Sequence, residues 1–284
     1  EWFGRSLESV MEEVSKRALA FSIKQELDLP GILGQYVSDW HVFDSETIKL
    51  DKSLYTEYPG SGDYAAIKVH KRYSIGRGTV VGYHFSPARE HDSLHLKIDE
   101  TWRGLGLLVD LAYASKALIR QCRKHGVHLI IRLKEDWKPS VTHIARGNVN
   151  QALFKGGDLD ALIDEGILKL DGRVIDADVL IGRDGDPEPM RLVGVPVEDG
   201  SYRFYLTTLP PSIGPLQIAD IYRVRWEIES DNKIDKSCMH VDRITAQTAP
   251  TVRSLRGYPE RNHACPQISQ MTQIQSGSPN LCHL

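Results

Sequence analysis

The sequence is short of cysteine, of basic excess and of long apolar runs. Its four cysteines, Cys122, Cys238, Cys265 and Cys282, show no close pairing pattern. That argues against a disulfide framework and fits a reducing, cytoplasmic compartment. No apolar run approaches the roughly 20 residues of a membrane span, and no signal peptide is visible, so no membrane partner is expected. Lys and Arg number 35 against 38 Asp and Glu, a net charge of −3. A nucleic-acid binder normally carries a basic face, which this total does not supply. Cys238, His240, Cys265, Cys282 and His283 match no usual zinc-finger spacing, so zinc is not expected among them. The 284 residues suffice for one large domain or a domain with an insert. The chain starts at Glu1 rather than Met, which reads as a fragment.

Charge distribution is more informative than the total. Between Lys116 and Lys138 stand Lys116, Arg120, Arg123, Lys124, Arg132, Lys134 and Lys138, against only Glu135 and Asp136. The acids gather from Asp158 to Asp199, so a near-neutral whole can hold a basic groove. Ser6 to Leu27 has helical spacing of apolar positions and stops towards Pro30-Gly31. His41 to Leu50 reads as a strand, and Lys68 to Tyr73 with Thr79 to Phe85 as a hairpin across Ser74–Gly78. His91-Asp92-Ser93 looks like a helix cap leading into Leu94–Glu100. The apolar run Gly106–Val109 meets Asp110 and leads to a helix over Ser115–Lys124, and His128–Leu133 is a further strand. The order suits a mixed sheet with an initial meander and a later crossover.

One later stretch carries chemistry. Tyr222, Arg225, Glu229 and Lys236 fall within roughly 60° of one another on a helical face. Ile221, Val224 and Ile228 cluster on another face, expected to meet the core. One carboxylate among two cations and a phenol suits the wall of a metal-dependent phosphoryl-transfer site. Two further acids stand in suitable places: Asp44 at the heart of its strand, and Asp110 at the end of its apolar run.

The spacing Y-x2-R-x3-E-x6-K resembles the signature of DDE transposases of bacterial insertion sequences, specifically insertion sequence family four. Asp44 resembles the family's first acidic motif, and Asp110-Leu-Ala-Tyr113 its D-x-x-Y motif. The resemblance runs from about Asp44 to Ala246. It implies an α/β fold with a ribonuclease-H-like mixed sheet, first and fourth strands adjacent, so that Asp44 and Asp110 face one another and Glu229 completes a trio. Three carboxylates together call for neutralising cations, and two Mg²⁺ or Mn²⁺ ions held by Asp44, Asp110 and Glu229 are implied. Tyr222, Arg225 and Lys236 would hold DNA phosphates. The implied partners are element ends and target DNA, with a homodimer when DNA-bound, and the implied reaction is end cleavage followed by strand transfer. The alternatives are a metal-dependent nuclease on the same fold that does not join, and a non-catalytic DNA-binding remnant.

The expected organisation is a helical segment over residues 1–38, a catalytic core over 39–136 and 212–250, a β-rich insertion over 137–211, and an irregular tail over 251–284. Within the insertion, Asp171-Gly172 is a hairpin signal between Ile167–Leu170 and Val174-Ile175, and Arg191–Val195 and Tyr202–Leu206 flank Glu198–Gly200. Trp137 reads as a packing residue at its entrance. Asp184, Asp186 and Glu188 resemble half a calcium loop and read as an acidic turn. Scattered His70, His84, His91 and His95 read as ordinary polar or packing residues. Three departures from the family stand out: few residues before Asp44, loss of pattern after about Val252, and Asn232 where relatives place an apolar residue. The first and second read as a chain incomplete at both ends.

Overall fold

The computed structural model describes residues 36–182 and 185–226. The expected first helix, Glu229, Lys236, the Cys238 to His283 group and the tail lie outside the described residues.

A meander opens the fold: β1 (Trp40–Lys49), β2 (Ala66–Ser74) and β3 (Thr79–Pro87) pair antiparallel in sequence order. The chain then crosses to β4 (Gly106–Val109), which lies parallel to β1 on its other side. Helix α1 (Lys116–His125) carries it to β5 (His128–Arg132), parallel to β4. Antiparallel 3-2-1 followed by parallel 1-4-5 is the ribonuclease-H-like arrangement the resemblance implied. It is a mixed α/β fold.

Burial follows from coverage of both faces. Trp40, His41, Val42 and Phe43 are all buried, and so are all four residues of β4. Leu107, Val109, Leu129 and Ile131 feed a core on one face with Ile119 of α1, while Leu108 and Ile130 feed a second core on the other. Further along β1 the burial alternates, since β4 has ended and only one face is covered. At the β1–β4 start, Trp40 stands opposite Gly106. A Cβ on Gly106 would sit 2.3 Å from the Trp40 ring, so glycine is what lets the indole lie across β4.

Ser115 starts α1, its Oγ accepting from the Leu118 amide at 3.1 Å, and Gly126 at φ 67° ends it. Leu118, Ile119 and Cys122 are its buried face.

The segment after β5 continues the same sheet. Its strands are β6 (Ser140–Arg146), β7 (Asn148–Val149), β8 (Gly157–Asp158), β9 (Leu168–Lys169), β10 (Ile175–Ile181), β11 (Glu188–Pro196) and β12 (Tyr202–Thr207), with the short helix α2 (Leu159–Asp164). The seam is β5 against β12, from Tyr205↔Arg132 to Thr207↔Ile130. The ten-stranded order is β3-β2-β1-β4-β5-β12-β11-β10-β6-β8. A helix at 215–226, α3, closes the described chain and buries Ile218, Ile221, Tyr222 and Arg225 against the second core face.

Three expectations are corrected. Asp171-Gly172 does not make a hairpin: β9 before it pairs with β7, whereas β10 after it pairs with β11 and β6. The dipeptide turns the chain out of a two-stranded ribbon into the main sheet. No helix spans 94–100: two 3₁₀ turns, Asp92–Leu94 and Glu100–Trp102, flank a stretch in which Leu96 and Ile98 are buried and Lys97 exposed. That two-residue alternation is extended chain, not helix. Finally, Tyr222 and Arg225 share the buried face of α3 with Ile221, whereas Val224 is only half-buried.

The sequence separation of charge is partly undone by folding. Arg120 Nε and Arg123 Nη1 both meet the Glu188 carboxylate, the latter at 2.6 Å, and Arg120 also reaches Asp186 at 2.5 Å. The acidic turn thus locks α1 to β11, and its acids serve two of the cations expected to line a groove.

Candidate active site

The register of the parallel β1–β4 pair builds the site. Val42↔Leu108 and Phe43↔Val109 are its last pairs, and the next residues are Asp44 and Asp110. Val42 and Leu108 both point into the second core, so the two-residue period turns Asp44 and Asp110 towards that same face, beside α3. Both are half-buried at the carboxyl end of β4, where the sheet's covering stops.

Local hydrogen bonds fix each carboxylate. Asp44 Oδ1 accepts from the Ser45 amide at 2.8 Å, and Asp110 Oδ1 accepts from the Leu111 amide at 2.6 Å. The Asp110 carbonyl accepts from the Tyr113 amide at 3.1 Å, so the Asp110–Tyr113 turn closes on itself. Tyr113 is buried, edge-on to Phe43 at 5.4 Å. Burial pushes its phenol well above the ordinary tyrosine value, with the Ser45 hydroxyl opposing the rise and the Asp92, Asp44 and Asp110 carboxylates adding to it.

Helix α3 leans on the same strand ends. The Tyr222 hydroxyl donates to the Val109 carbonyl at 3.2 Å, the residue before Asp110. Burial pushes this phenol up to about 12, with Asp110 adding to the rise and Arg225 opposing it. The Arg225 guanidinium lies 5.2 Å from the centres of both the Tyr222 and Trp226 rings and is 3 % exposed. A cation so buried gains from the ring faces it lies against. Of the six residues expected at the site, Asp44, Asp110, Tyr222 and Arg225 are therefore brought to one end of the central strands. Glu229 and Lys236 follow on the chain from α3, outside the described residues.

Asp92 was read in the sequence only as part of the cap His91-Asp92-Ser93. Its Oδ1 accepts from Ser45 Oγ at 2.7 Å and lies 3.0 Å from Lys68 Nζ. Burial works to raise this carboxyl, but the Ser45 and Lys68 hydrogen bonds outweigh it and hold it below the usual range. The signal in the sequence was its cap position after His91. Trp137 is half-buried against the first core with Lys134 Nζ 5.7 Å above its ring.

Two adjacent, pre-oriented carboxylates form a hard oxygen donor set, the chemistry that suits Mg²⁺ or Mn²⁺ rather than a soft or imidazole-seeking ion. The residues present fit such ions. Among the described residues, no helix is long and apolar enough to cross a membrane.

The chain is similar to known proteins. The chain is 26 % identical over 237 residues to the transposase for insertion sequence element IS231B of Bacillus thuringiensis subsp. berliner, covering 70 % of this chain and 50 % of that protein. It is 25 % identical over 250 residues to the transposase for insertion sequence element IS231D of Bacillus thuringiensis subsp. finitimus, covering 72 % and 51 %. It thus spans about half the length of the curated relatives it matches. Among solved structures, a piggyBac transposase synaptic complex with hairpin DNA aligns with a TM-score of 0.42 at 10 % identity, over 75 % of this chain and 43 % of that one. The family model described as the transposase DDE domain matches residues 41–255, a span that includes Asp44, Asp110 and the residues from Tyr222 to Lys236, and the chain belongs to that family.

Proposed function

We propose that this chain is the catalytic part of an insertion-sequence transposase of the family-four type, which cuts DNA at the element's ends and joins the resulting 3′-hydroxyl to target DNA. The observation that carries the reading is the register of β1 against β4, which sets Asp44 and Asp110 side by side beneath α3. Family membership and the similarity to transposases of insertion sequences support it.

In this reading Asp44, Asp110 and Glu229 would hold two Mg²⁺ or Mn²⁺ ions. Bound there, such ions supply Lewis acidity and neutralise charge on the scissile phosphate. The protein's share is orientation. The Ser45 and Leu111 amides hold the aspartates in position before substrate arrives, which lowers the reorganisation needed for reaction. Tyr222, braced on the Val109 carbonyl, ties α3 to the end of β4 just before Asp110, so the chain that runs on to Glu229 leaves from a fixed start. Arg225 and Lys236 would meet DNA phosphates at this end of the sheet, Arg225 from a buried seat that limits it to contacts within the site.

The catalytic core would comprise 39–136 and 212–250, with 137–211 as an insertion. Pairing of β12 on β5 supports this division, because the insertion then enters and leaves beside the last core strand. DNA ends and target are the proposed partners, with a homodimer forming on DNA. The test is strand transfer from a pre-cleaved duplex end into plasmid DNA in Mg²⁺ or Mn²⁺. Joined product is expected. Nicking without joining would replace the proposal with a nuclease on the same fold, and binding without either would leave a DNA-binding remnant.

A further inference from the structure

Folding assembles three histidines that lie far apart in the sequence. His70 on β2 and His84 on β3 are opposite one another in the antiparallel register. His95, the residue that closes the Asp92–Leu94 turn, lies over both. Ring centroids are 4.5 Å apart for His70–His84, 4.3 Å for His70–His95 and 5.0 Å for His84–His95. One ring nitrogen from each lies within 4.8 Å of those of the others.

Two of these nitrogens are costly where they stand. His70 is fully buried, its Nε2 engaged with Ser86 Oγ at 2.9 Å, and its Nδ1 has no hydrogen-bond partner among the described residues. His95 Nε2 is shielded from solvent and sits 2.8 Å from Glu90 Oε2, but out of line for a hydrogen bond. A buried polar atom left without a partner loses its water for nothing, and such atoms mark places where an ion belongs. That 2.8 Å separation is an ion-pair distance, and it brings the Glu90 carboxylate beside the three imidazoles.

We propose that His70, His84 and His95, with Glu90 as fourth ligand, form a binding site for a late first-row transition ion of the Zn²⁺ class, separate from the Asp44–Asp110 site. Imidazole nitrogens suit such ions and discriminate against Mg²⁺ and Ca²⁺, which take oxygen. Zn–N bonds of about 2.0–2.1 Å in a tetrahedron bring ligand nitrogens to about 3.3 Å from each other. Reaching that from the present stack requires His84 and His95, both half-buried, to turn about a fixed His70. An ion there would pin the β2–β3 hairpin to the Leu94–Ile98 stretch. Ser45, next to Asp44, pairs with His70 across the β1–β2 register, so the site would stiffen the wall behind the catalytic aspartate.

The test uses the full chain carrying Asp44→Asn and Asp110→Asn, stripped with chelator and titrated with Co²⁺ in excess Mg²⁺. Visible bands of four-coordinate Co²⁺ saturating at one ion, and displaced by Zn²⁺, are expected. Adding His84→Gln or His95→Gln should weaken Co²⁺ binding by more than about 100-fold, since loss of even an outer partner costs 10–100-fold. Zn²⁺ should also protect His84 and His95 from diethyl pyrocarbonate, which reads the site without a histidine substitution. Absence of the bands, bands that survive both histidine substitutions, or equal modification with and without Zn²⁺ would each overturn the proposal.

Discussion

Replacing Arg191 by Met tests how the segment before α3 is held. Arg191 is 6 % exposed and Asp176 4 %. They make a two-pronged pair, Nε to Oδ1 and Nη2 to Oδ2, each 2.8 Å. The same guanidinium donates to the Pro210 carbonyl from Nη1 and to the Ile213 carbonyl from Nη2, both at 2.8 Å. One side chain on β11 thus fixes the turn from which α3 departs. Arg191→Met leaves Asp176 as a buried charge without its counter-ion, which costs about 3–5 kcal/mol. In urea the midpoint should fall by about 1–2.5 M, taking a slope of about 2–3 kcal/mol per M. Adding Asp176→Met removes the stranded charge and should restore part of the loss. The Pro210 and Ile213 carbonyls stay without their donor, so about 1–3 kcal/mol should remain. Amide exchange at Ile213 and Ile218, whose N–H groups bond Pro210 and Gly214, should quicken in the single variant. A single-variant cost below about 1 kcal/mol, or a double variant as unstable as the two singles added, would refute the reasoning.

Gly106→Ala should destabilise by about 1–3 kcal/mol in urea unfolding and alter Trp fluorescence, because the new methyl meets the Trp40 ring. Glu188→Gln should cost about 1 kcal/mol, less in 1 M salt, since Arg120 and Arg123 are each nearly half exposed. His41 should give an acid-side dependence of stability. Burial holds its imidazolium below the ordinary value of 6.5, with Arg72 adding to the effect and Asp39 opposing it. The unfolded chain therefore binds this proton first as pH falls, so the contribution is present above about 6.5 and lost below it down to the folded value. His41→Asn should flatten that part of a urea-midpoint profile between pH 7 and pH 5. Without divalent ions, Asp110→Asn should leave the urea midpoint unchanged or raise it, because it relieves repulsion between neighbouring carboxylates.

Strands β1 to β5 were legible because each is a short run with turn signals on both sides, while the place of β4 beside β1 came from what the family resemblance implied. The two aspartates needed only that neighbourhood to be placed. What escaped was pairing at a distance. Asp171-Gly172 is a local turn signal, but whether β9 meets β10 or β7 depends on strands far along the chain. The 94–100 stretch followed a cap, which announced a helix, yet Leu96 and Ile98 alternate as extended chain does. Periodicity grouped Tyr222 with Arg225 correctly but could not say that their stripe meets the sheet, since a phenol and an arginine stem both tolerate burial. His70, His84 and His95 looked scattered because their contact is made by a hairpin register and a returning loop. Arg120 and Arg123 looked like part of a basic surface because Glu188, their partner, comes from the acidic stretch.

The central claim is that Asp44 and Asp110, with Glu229, form one metal-dependent centre for DNA strand transfer. Strand transfer from a pre-cleaved end, measured for the wild-type chain beside Asp44→Asn, Asp110→Asn and Glu229→Gln, tests it most directly. Each variant should keep the wild-type circular dichroism spectrum and lose joined product by more than about 1,000-fold, as expected when a metal-holding group of a phosphoryl-transfer site is removed. Joined product at near wild-type rate from any one of the three would contradict the account.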